Sequence, residues 1–299
     1  MSAMIRITPD LRHWILNNLD RGCADATLVA SMVEQQFDPT IARSLVHAFA
    51  LARTQGVAPP EAGVDITLTL REPPVRDAYI YEAPRLPAGH HIHTHDRMIP
   101  VLMRLARPAL AVLGAVLSAE ECAQLIALAR ARLRASTVVD PASGRDSVAA
   151  HRDSEGMFFA LNETPFIAAL DRRIAEAMGC PIDHGEGLQV LRYGAAARST
   201  PHFDFLVPQN DANRASIARS GQRVASMVVY LNDVVGGGET TFPELGLAVA
   251  PQRGNAVCFE YANSAGQLDH ATLHAGAPVT SGEKWALTKW MRSRPFVPA

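Results

Sequence analysis

Lysine is almost missing from this chain: Lys284 and Lys289 are the only two in 299 residues, and arginine carries nearly all the other positive charge. Basic and acidic side chains nearly cancel, 28 against 30, for a formal charge of −2. That balance excludes a strongly basic nucleic-acid binder and an acidic disordered tail as starting points. Cysteine is scarce too. Cys23, Cys122, Cys180 and Cys258 are scattered with no C-x-x-C pair, which argues against a zinc ribbon or a disulfide framework and for a reducing, cytoplasmic setting. No long apolar run exists: the most apolar stretch, 105–117, is broken by Arg107 and Pro108 and is too short for a bilayer. Residues 1–10 carry Arg6 and Asp10, unlike a secretory signal. The Gly236-Gly237-Gly238 run lacks the following Lys-Ser/Thr of a phosphate loop, and neither Ser226 nor Ser264 sits in a nucleophile elbow.

Core material is plentiful. At 48% hydrophobic residues, the chain can build one large domain or two modest ones without staples. Residues 1–56 read as a helical module. Leu11, Trp14, Ile15 and Leu19, then Leu28, Val29, Met32 and Val33, then Ile41, Leu45, Val46 and Phe49 recur at helical spacing. Asp38-Pro39 gives the third helix an N-cap and a first-turn proline. This module could dock a partner or simply cover the main domain. Residues 57–97, rich in Pro, Gly and polar side chains, read as a linker with room for one or two short strands. They contain His90, His91, His93 and His95, a cluster that composition assigns to a solvated loop over a metal site.

From residue 98 to the end the pattern becomes a β-rich domain with packed helices. Residues 99–105 read as extended. Ser118 with Glu121 forms a capping box for a helix over 118–133, and a second helix spans 165–178. Short runs then follow at 187–193, 200–207, 224–231, 247–250, 256–259, 272–279 and 284–291, separated by Gly, Pro, Asn and Asp. Helices followed by this many strands indicate a mainly β fold, a double-sheet antiparallel roll. The polar insertion 210–221 reads as a candidate lid.

The chemistry concentrates in Pro201-His202-Phe203-Asp204. On a strand, residues i and i+2 share a face, so His202 and Asp204 point together while Phe203 and Phe205 go into packing. His274, far along the chain, supplies a second imidazole. Two His and one Asp leave three positions open on an octahedral metal and suit Fe(II); zinc prefers a tetrahedral site with one open position. Beyond a turn at 280–283, Lys284 would start a strand antiparallel to that of His274. Trp290 shares the parity of Lys284 and lies ~20 Å along the strand at ~3.3 Å per residue; Lys289 falls on the opposite face.

Residues 98–293 resemble the prolyl 4-hydroxylase branch of the Fe(II)/2-oxoglutarate dioxygenases. The motifs run in order: Leu117-Ser118-x-Glu120-Glu121-Cys122, Gln189-Val190-Leu191-Arg192-Tyr193, Pro201-His202-x-Asp204, Val229-Tyr230-Leu231-Asn232-Asp233, Gly237-Gly238-Glu239-Thr240-x-Phe242-Pro243, His274-Ala275-Gly276-x-Pro278-Val279 and Gly282-Glu283-Lys284-Trp285-x-x-Thr288-x-Trp290. The resemblance implies a double-stranded β-helix, or jelly roll, over 98–299. It implies iron held by His202, Asp204 and His274, which are then the catalytic centre. It implies 2-oxoglutarate as cosubstrate, held by Lys284, Tyr193 and Thr240, with ascorbate as a candidate reductant. Arg223 and Trp290 match positions lining the substrate side. The implied activity is hydroxylation of a C–H bond in a prolyl residue of a protein or peptide. One departure is Ser199, three residues before His202, where the family usually has an aromatic residue facing the substrate. Two alternatives stay open at this point: hydroxylation of a free amino acid or other small molecule, and a non-oxygenase, metal-binding cupin-like protein.

Overall fold

The computed structural model describes residues 4–20, 23, 25–55, 58–61, 63–65, 79–135, 137–139, 146–148, 154–208 and 210–298. The chain divides into two compact units, Met1–Ala78 and Tyr79–Ala299. No helix among the described residues is long and apolar enough to cross a membrane.

In the first unit, β1 (Met4–Arg6) pairs antiparallel with β2 (Gly63–Asp65), and three helices lie between them: α1 (Pro9–Asp20), α2 (Asp25–Glu34) and α3 (Pro39–Gln55). Asp38 caps α3 through Oδ1, accepting from the Thr40 and Ile41 amides at 2.8 and 3.1 Å. The periodic apolar positions meet in one core of Ile15, Leu19, Leu28, Met32, Leu45, Val46 and Phe49, joined by Ile7 and Val64 from the flanks of the helices.

The second unit begins with β3 (His91–His93), β4 (Met98–Leu105) and β5 (Leu110–Leu113), followed by α4 (Ala119–Arg130). Short strands β6 (Arg134–Ala135), β7 (Thr137–Val139) and β8 (Asp146–Val148) lead to β9 (Ser154–Phe159) and α5 (Pro165–Ala177). Next come β10 (Leu188–Tyr193), β11 (Ser199–His202), α6 (Asp211–Ser220) and β12 (Arg223–Tyr230). Last are β13 (Gly236–Gly237), β14 (Thr240–Phe242), β15 (Leu247–Val249), β16 (Ala256–Glu260), β17 (His274–Gly276), β18 (Val279–Ser281) and β19 (Lys284–Arg292). A nine-stranded sheet has the order β3-β4-β5-β16-β12-β19-β10-β9-β6, and a four-stranded sheet has the order β11-β17-β14-β15. Aromatic side chains from both sheets, Tyr230 and Phe259 from the large one and Phe242 from the small one, share a core with Phe205 and Tyr261. This is the expected double-sheet roll.

Both expected helices of this unit form, each with its cap. Ser118 and Glu121 exchange backbone and side-chain bonds in a complete capping box, and Thr164 with Pro165 starts α5. The helices cover the outer face of the large sheet, where Leu125, Ile167, Leu170 and Ile174 join Val190, Met227, Trp285 and Leu287 in the main core.

The structure departs from expectation at residues 79–97 and adds a helix within 210–221. Residues 79–97 do not behave as a linker: Leu86 and Ile92 are buried in the main core, and Arg85 pairs with Glu260 at 3.0 Å. The histidine cluster lies partly on edge strand β3, where Ile92 turns inward and His91 and His93 turn outward, while His95 meets Glu176 at 3.0 Å. Residues 210–221 contain a helix, α6, capped by Asn210 at one end and by Gly221 at φ 75° at the other. Its last turn is tied to the C-terminal segment, through Ser220 to Val297 and through Arg294 to the Ile217 and Ala218 carbonyls.

Candidate active site

Strand β11 ends at His202, and the chain bends through Asp204 instead of continuing as a strand to 207. His202 and Asp204 nevertheless face the same point. His274, opposite His202 in the β11–β17 register, completes the group. Ligand atoms of the three side chains lie within 4.8 Å of one another. His202 Nε2 is 3.7 Å from Asp204 Oδ1, and His274 Nε2 is 3.7 Å from Asp204 Oδ2.

The backbone fixes both imidazoles. His202 Nδ1 lies 2.8 Å from the Thr200 carbonyl, and His274 Nδ1 lies 3.1 Å from that of Thr272. A carbonyl oxygen only accepts, so each Nδ1 carries the hydrogen and each Nε2 presents its lone pair to the centre. Asp204 is oriented as well: Ser226 donates to Oδ2 at 2.6 Å, and the Tyr261 hydroxyl lies 2.9 Å behind Ser226. Burial opposes ionisation of Asp204, yet His274, His202 and the Ser226 hydroxyl hold its carboxyl below the usual carboxylate range. Two neutral imidazoles and one anionic oxygen, each pre-aimed, fit a divalent metal with open positions.

The group opens into a cavity of about 720 Å³. Alternate residues of β19, namely Lys284, Ala286, Thr288 and Trp290, line it, as their shared parity requires, and Lys289 lies on the other face. The expected pairing of the Lys284 strand with the His274 strand is not found. β17 belongs to the four-stranded sheet and β19 to the nine-stranded one, with β18 between them in sequence paired to β13. His274 and Lys284 therefore approach the cavity from opposite layers of the roll.

Lys284 is buried and makes no ion pair among the described residues; its Nζ stands 5.5 Å from the ring centres of both Tyr193 and Tyr230. Burial pulls its pKa down from 10.5 to about 8, opposed in part by Glu239. Tyr193 is its direct cross-strand partner on β10. Thr240, also buried, accepts from the Tyr230 hydroxyl at 2.8 Å, which turns the threonine's own hydrogen to another acceptor. Gly276 lies at this end too: an added Cβ would stand 3.4 Å from Ser199 Cβ and 4.0 Å from Lys284 Nζ. Ser199 is buried and lines the cavity.

Arg223 and Trp290 stand together at the far end, the guanidinium 4.0 Å over the indole. Glu186 grips Arg223 with two bonds, 2.7 Å to Nε and 2.8 Å to Nη2. His270 stays outside the metal-capable group and packs edge-on against Phe203 and Phe205, at 5.0 and 5.3 Å. Sequence reasoning missed Ser226, Tyr261, Tyr230 and Glu186, as well as Asn210 and Asn213, which line the cavity. Strand parity could have found two of them. Ser226 and Tyr230 stand opposite Trp290 and Ala286 in the β12–β19 register and so share the cavity face.

The chain is similar in sequence to known proteins. Residues 188–292 match the model of the 2OG-Fe(II) oxygenase superfamily. Prolyl 4-hydroxylase 1 of Arabidopsis thaliana is 42% identical over 202 residues, covering 62% of this chain and 70% of that protein. Probable prolyl 4-hydroxylase 3 of the same plant is 39% identical over 194 residues, covering 58% and 66%. Among solved structures, the viral collagen prolyl hydroxylase of Paramecium Bursaria Chlorella virus-1 is 29% identical with a TM-score of 0.47, covering 61% of this chain and 94% of that one. With its oxygenase domain matched and most of a curated relative's length covered, the chain belongs to the prolyl 4-hydroxylase branch of the 2OG-Fe(II) oxygenases.

Proposed function

We propose that this chain hydroxylates a prolyl residue within a protein or peptide, with Fe(II) held by His202, Asp204 and His274 and 2-oxoglutarate held by Lys284, Thr240 and Tyr193. One observation carries the reading: the two-histidine, one-carboxylate group shares its cavity with a buried ammonium that makes no ion pair among the described residues. An unpaired buried cation is costly and calls for an anion that arrives with the ligand. The far carboxylate of a keto-diacid whose other end chelates the metal meets that need. When bound, iron and 2-oxoglutarate supply the oxidising power: dioxygen is consumed, the keto-acid leaves as succinate and carbon dioxide, and one oxygen atom enters the substrate C–H bond.

The chain's own residues bind, orient and exclude water. Lys284 pairs with the distal carboxylate. Thr240, its hydroxyl oxygen already occupied by Tyr230, donates its hydrogen to the same group, and Tyr193 closes the pocket over it. Ser226 holds one oxygen of Asp204, leaving the other for the metal. The aromatic core around Phe242 and Phe259 keeps solvent from behind His274, their rings 5.7 and 4.8 Å from the imidazole. Arg223 and Trp290 form the substrate wall. The prolyl assignment draws on the relatives, which bear the name prolyl 4-hydroxylase.

Anaerobic Fe(II) and 2-oxoglutarate should give a weak visible charge-transfer band, lost in His274→Ala. In air, succinate release should depend on a proline-containing peptide that gains one oxygen by mass spectrometry. A normal band in His274→Ala would overturn the ligand set.

A further inference from the structure

We propose that Glu186 sets the substrate class of this site: by neutralising Arg223 it lets the substrate end accept a residue embedded in a polypeptide and reject the same residue with a free carboxylate. The inference rests on the hydroxylase reading above and deepens it.

Apart from the imidazoles, the cations lining the cavity among the described residues are Lys284 and Arg223. They stand at opposite ends. Lys284 opens the cavity-facing row of β19, and Arg223 stacks on Trp290 near its close. With Lys284 given to the cosubstrate, Arg223 is, among the described lining residues, the cation that could hold the carboxylate of a free amino acid or of a C-terminal residue. Its charge is already matched. Glu186, itself buried, meets it edge to edge through both carboxylate oxygens, the bidentate geometry that suits guanidinium best. A third bond runs from Nη1 to the Asp204 carbonyl at 3.3 Å. The N–H groups left over can still donate to a neutral amide carbonyl.

The clamp is built in from behind. Lys289, on the other face of β19, donates to the Glu186 carbonyl and pairs with buried Asp171 at 2.6 Å. Gly185 permits that approach, since an added Cβ would lie 2.4 Å from Lys289 Cε. Glu186 also takes Arg292 at 2.6 Å, so the three side chains carry one surplus positive charge. That surplus points away from the cavity: Arg292 donates to the Gly221 carbonyl at the end of α6 and to Ser216 within it, both at 2.8 Å. Trp290 beside Arg223 adds a neutral donor. Its indole N–H is buried and has no acceptor among the described residues.

The test compares acetyl-Ala-Ala-Pro-amide with acetyl-Ala-Ala-Pro free acid and with L-proline. Binding is read anaerobically from the shift of the iron–2-oxoglutarate band, and turnover from succinate and product mass. Wild type should favour the amide over the acid at least tenfold in both readouts. Glu186→Gln, which frees Arg223, should shrink that ratio to within about threefold, and Glu186→Asp should restore most of it. Should Glu186→Gln not fold, Glu186→Gln/Arg292→Gln frees Arg223 at the wild-type net charge and should show the same narrowing. A purely structural role for Glu186 would lower both peptides in equal proportion and overturn the proposal, as would a wild type that takes acid and amide alike. Absence of any succinate release with an unshifted band would overturn the hydroxylase reading itself, an outcome distinct from a lost preference.

Discussion

Lys284 shows how one side chain ties the fold to the reaction. Its ammonium is buried without an ion pair among the described residues, and burial, opposed in part by Glu239, lowers its pKa from 10.5 to about 8. A bound carboxylate favours the charged form, so cosubstrate binding raises this pKa. The affinity for 2-oxoglutarate should be flat below about pH 8 and then fall as pH rises, by up to about tenfold per unit. The same depressed pKa makes the unfolded chain bind more protons between pH 8 and 10.5, so the unliganded fold should gain stability across that window. Lys284→Met keeps the stem and removes the charge. It should weaken 2-oxoglutarate by roughly 10- to 100-fold, the worth of a charge-assisted hydrogen bond at ~1.5–3 kcal/mol, without lowering the melting temperature. Titration of the charge-transfer band against 2-oxoglutarate and pH measures both effects. At this scale the sequence was most informative where chemistry is rare. His202, Asp204, His274 and Lys284 stand out by residue type once the ordered motifs of the family resemblance are set around them. Ser226, Tyr230 and Glu186 do not, because a serine or tyrosine on a buried strand looks like filler until its partner is known, and Glu186 gains its meaning only from two arginines that reach it from β12 and β19.

At the scale of elements, β19 is the central beam. All nine of its residues are buried, one face toward the cavity and the other toward α5. On the α5 side Lys289 meets Asp171 with neither side chain exposed. Removing one partner leaves a bare buried charge, so Lys289→Met should destabilise the protein by about 3–5 kcal/mol. The double variant Asp171→Asn/Lys289→Met should recover much of the loss. Urea denaturation of the four proteins of this cycle decides it; a loss in the double variant equal to the sum of the two single losses would deny the coupling. The alternating parity of β19 was legible because strand geometry is local. Its sheet partner was not. A turn between two strands suggests a hairpin, but in this roll β17 and β19 lie in different sheets, and only the closure of the whole domain decides that. α6 escaped for a different reason. Its sequence, DANRASIARS, carries no apolar stripe, and polar contacts to the C-terminal segment hold it in place of a buried face.

At the scale of the molecule, the boundary matters most. Composition suggests a linker up to residue 97, because a Pro-, Gly- and His-rich stretch resembles solvated chain. The compact oxygenase unit instead begins at Tyr79. Within 79–97, Ile92 and Leu86 enter the main core at 1% and 7% exposure. Asp96 and Glu121 together enclose the guanidinium of Arg173, at 2.6 and 2.7 Å, and Arg85 holds Glu260. Burial of two aliphatic side chains contributes roughly 1.5–3 kcal/mol each, a large part of the 5–15 kcal/mol that holds a typical domain together. A chain beginning at residue 79 should therefore bind Fe(II) and 2-oxoglutarate within about twofold of the full chain, because every residue assigned to that site, and every buried partner named for it, lies beyond this point. A chain beginning at residue 98 should unfold at markedly lower urea concentration or fail to accumulate as soluble protein, since it exposes the edge that β3 covers and strips Arg173 of one of its two carboxylates. Urea midpoints and charge-transfer titrations on the two truncations give the answer. Equal stability of both would return 79–97 to the status of a tether, and loss of cosubstrate binding on starting at 79 would give the helical module a part in the site.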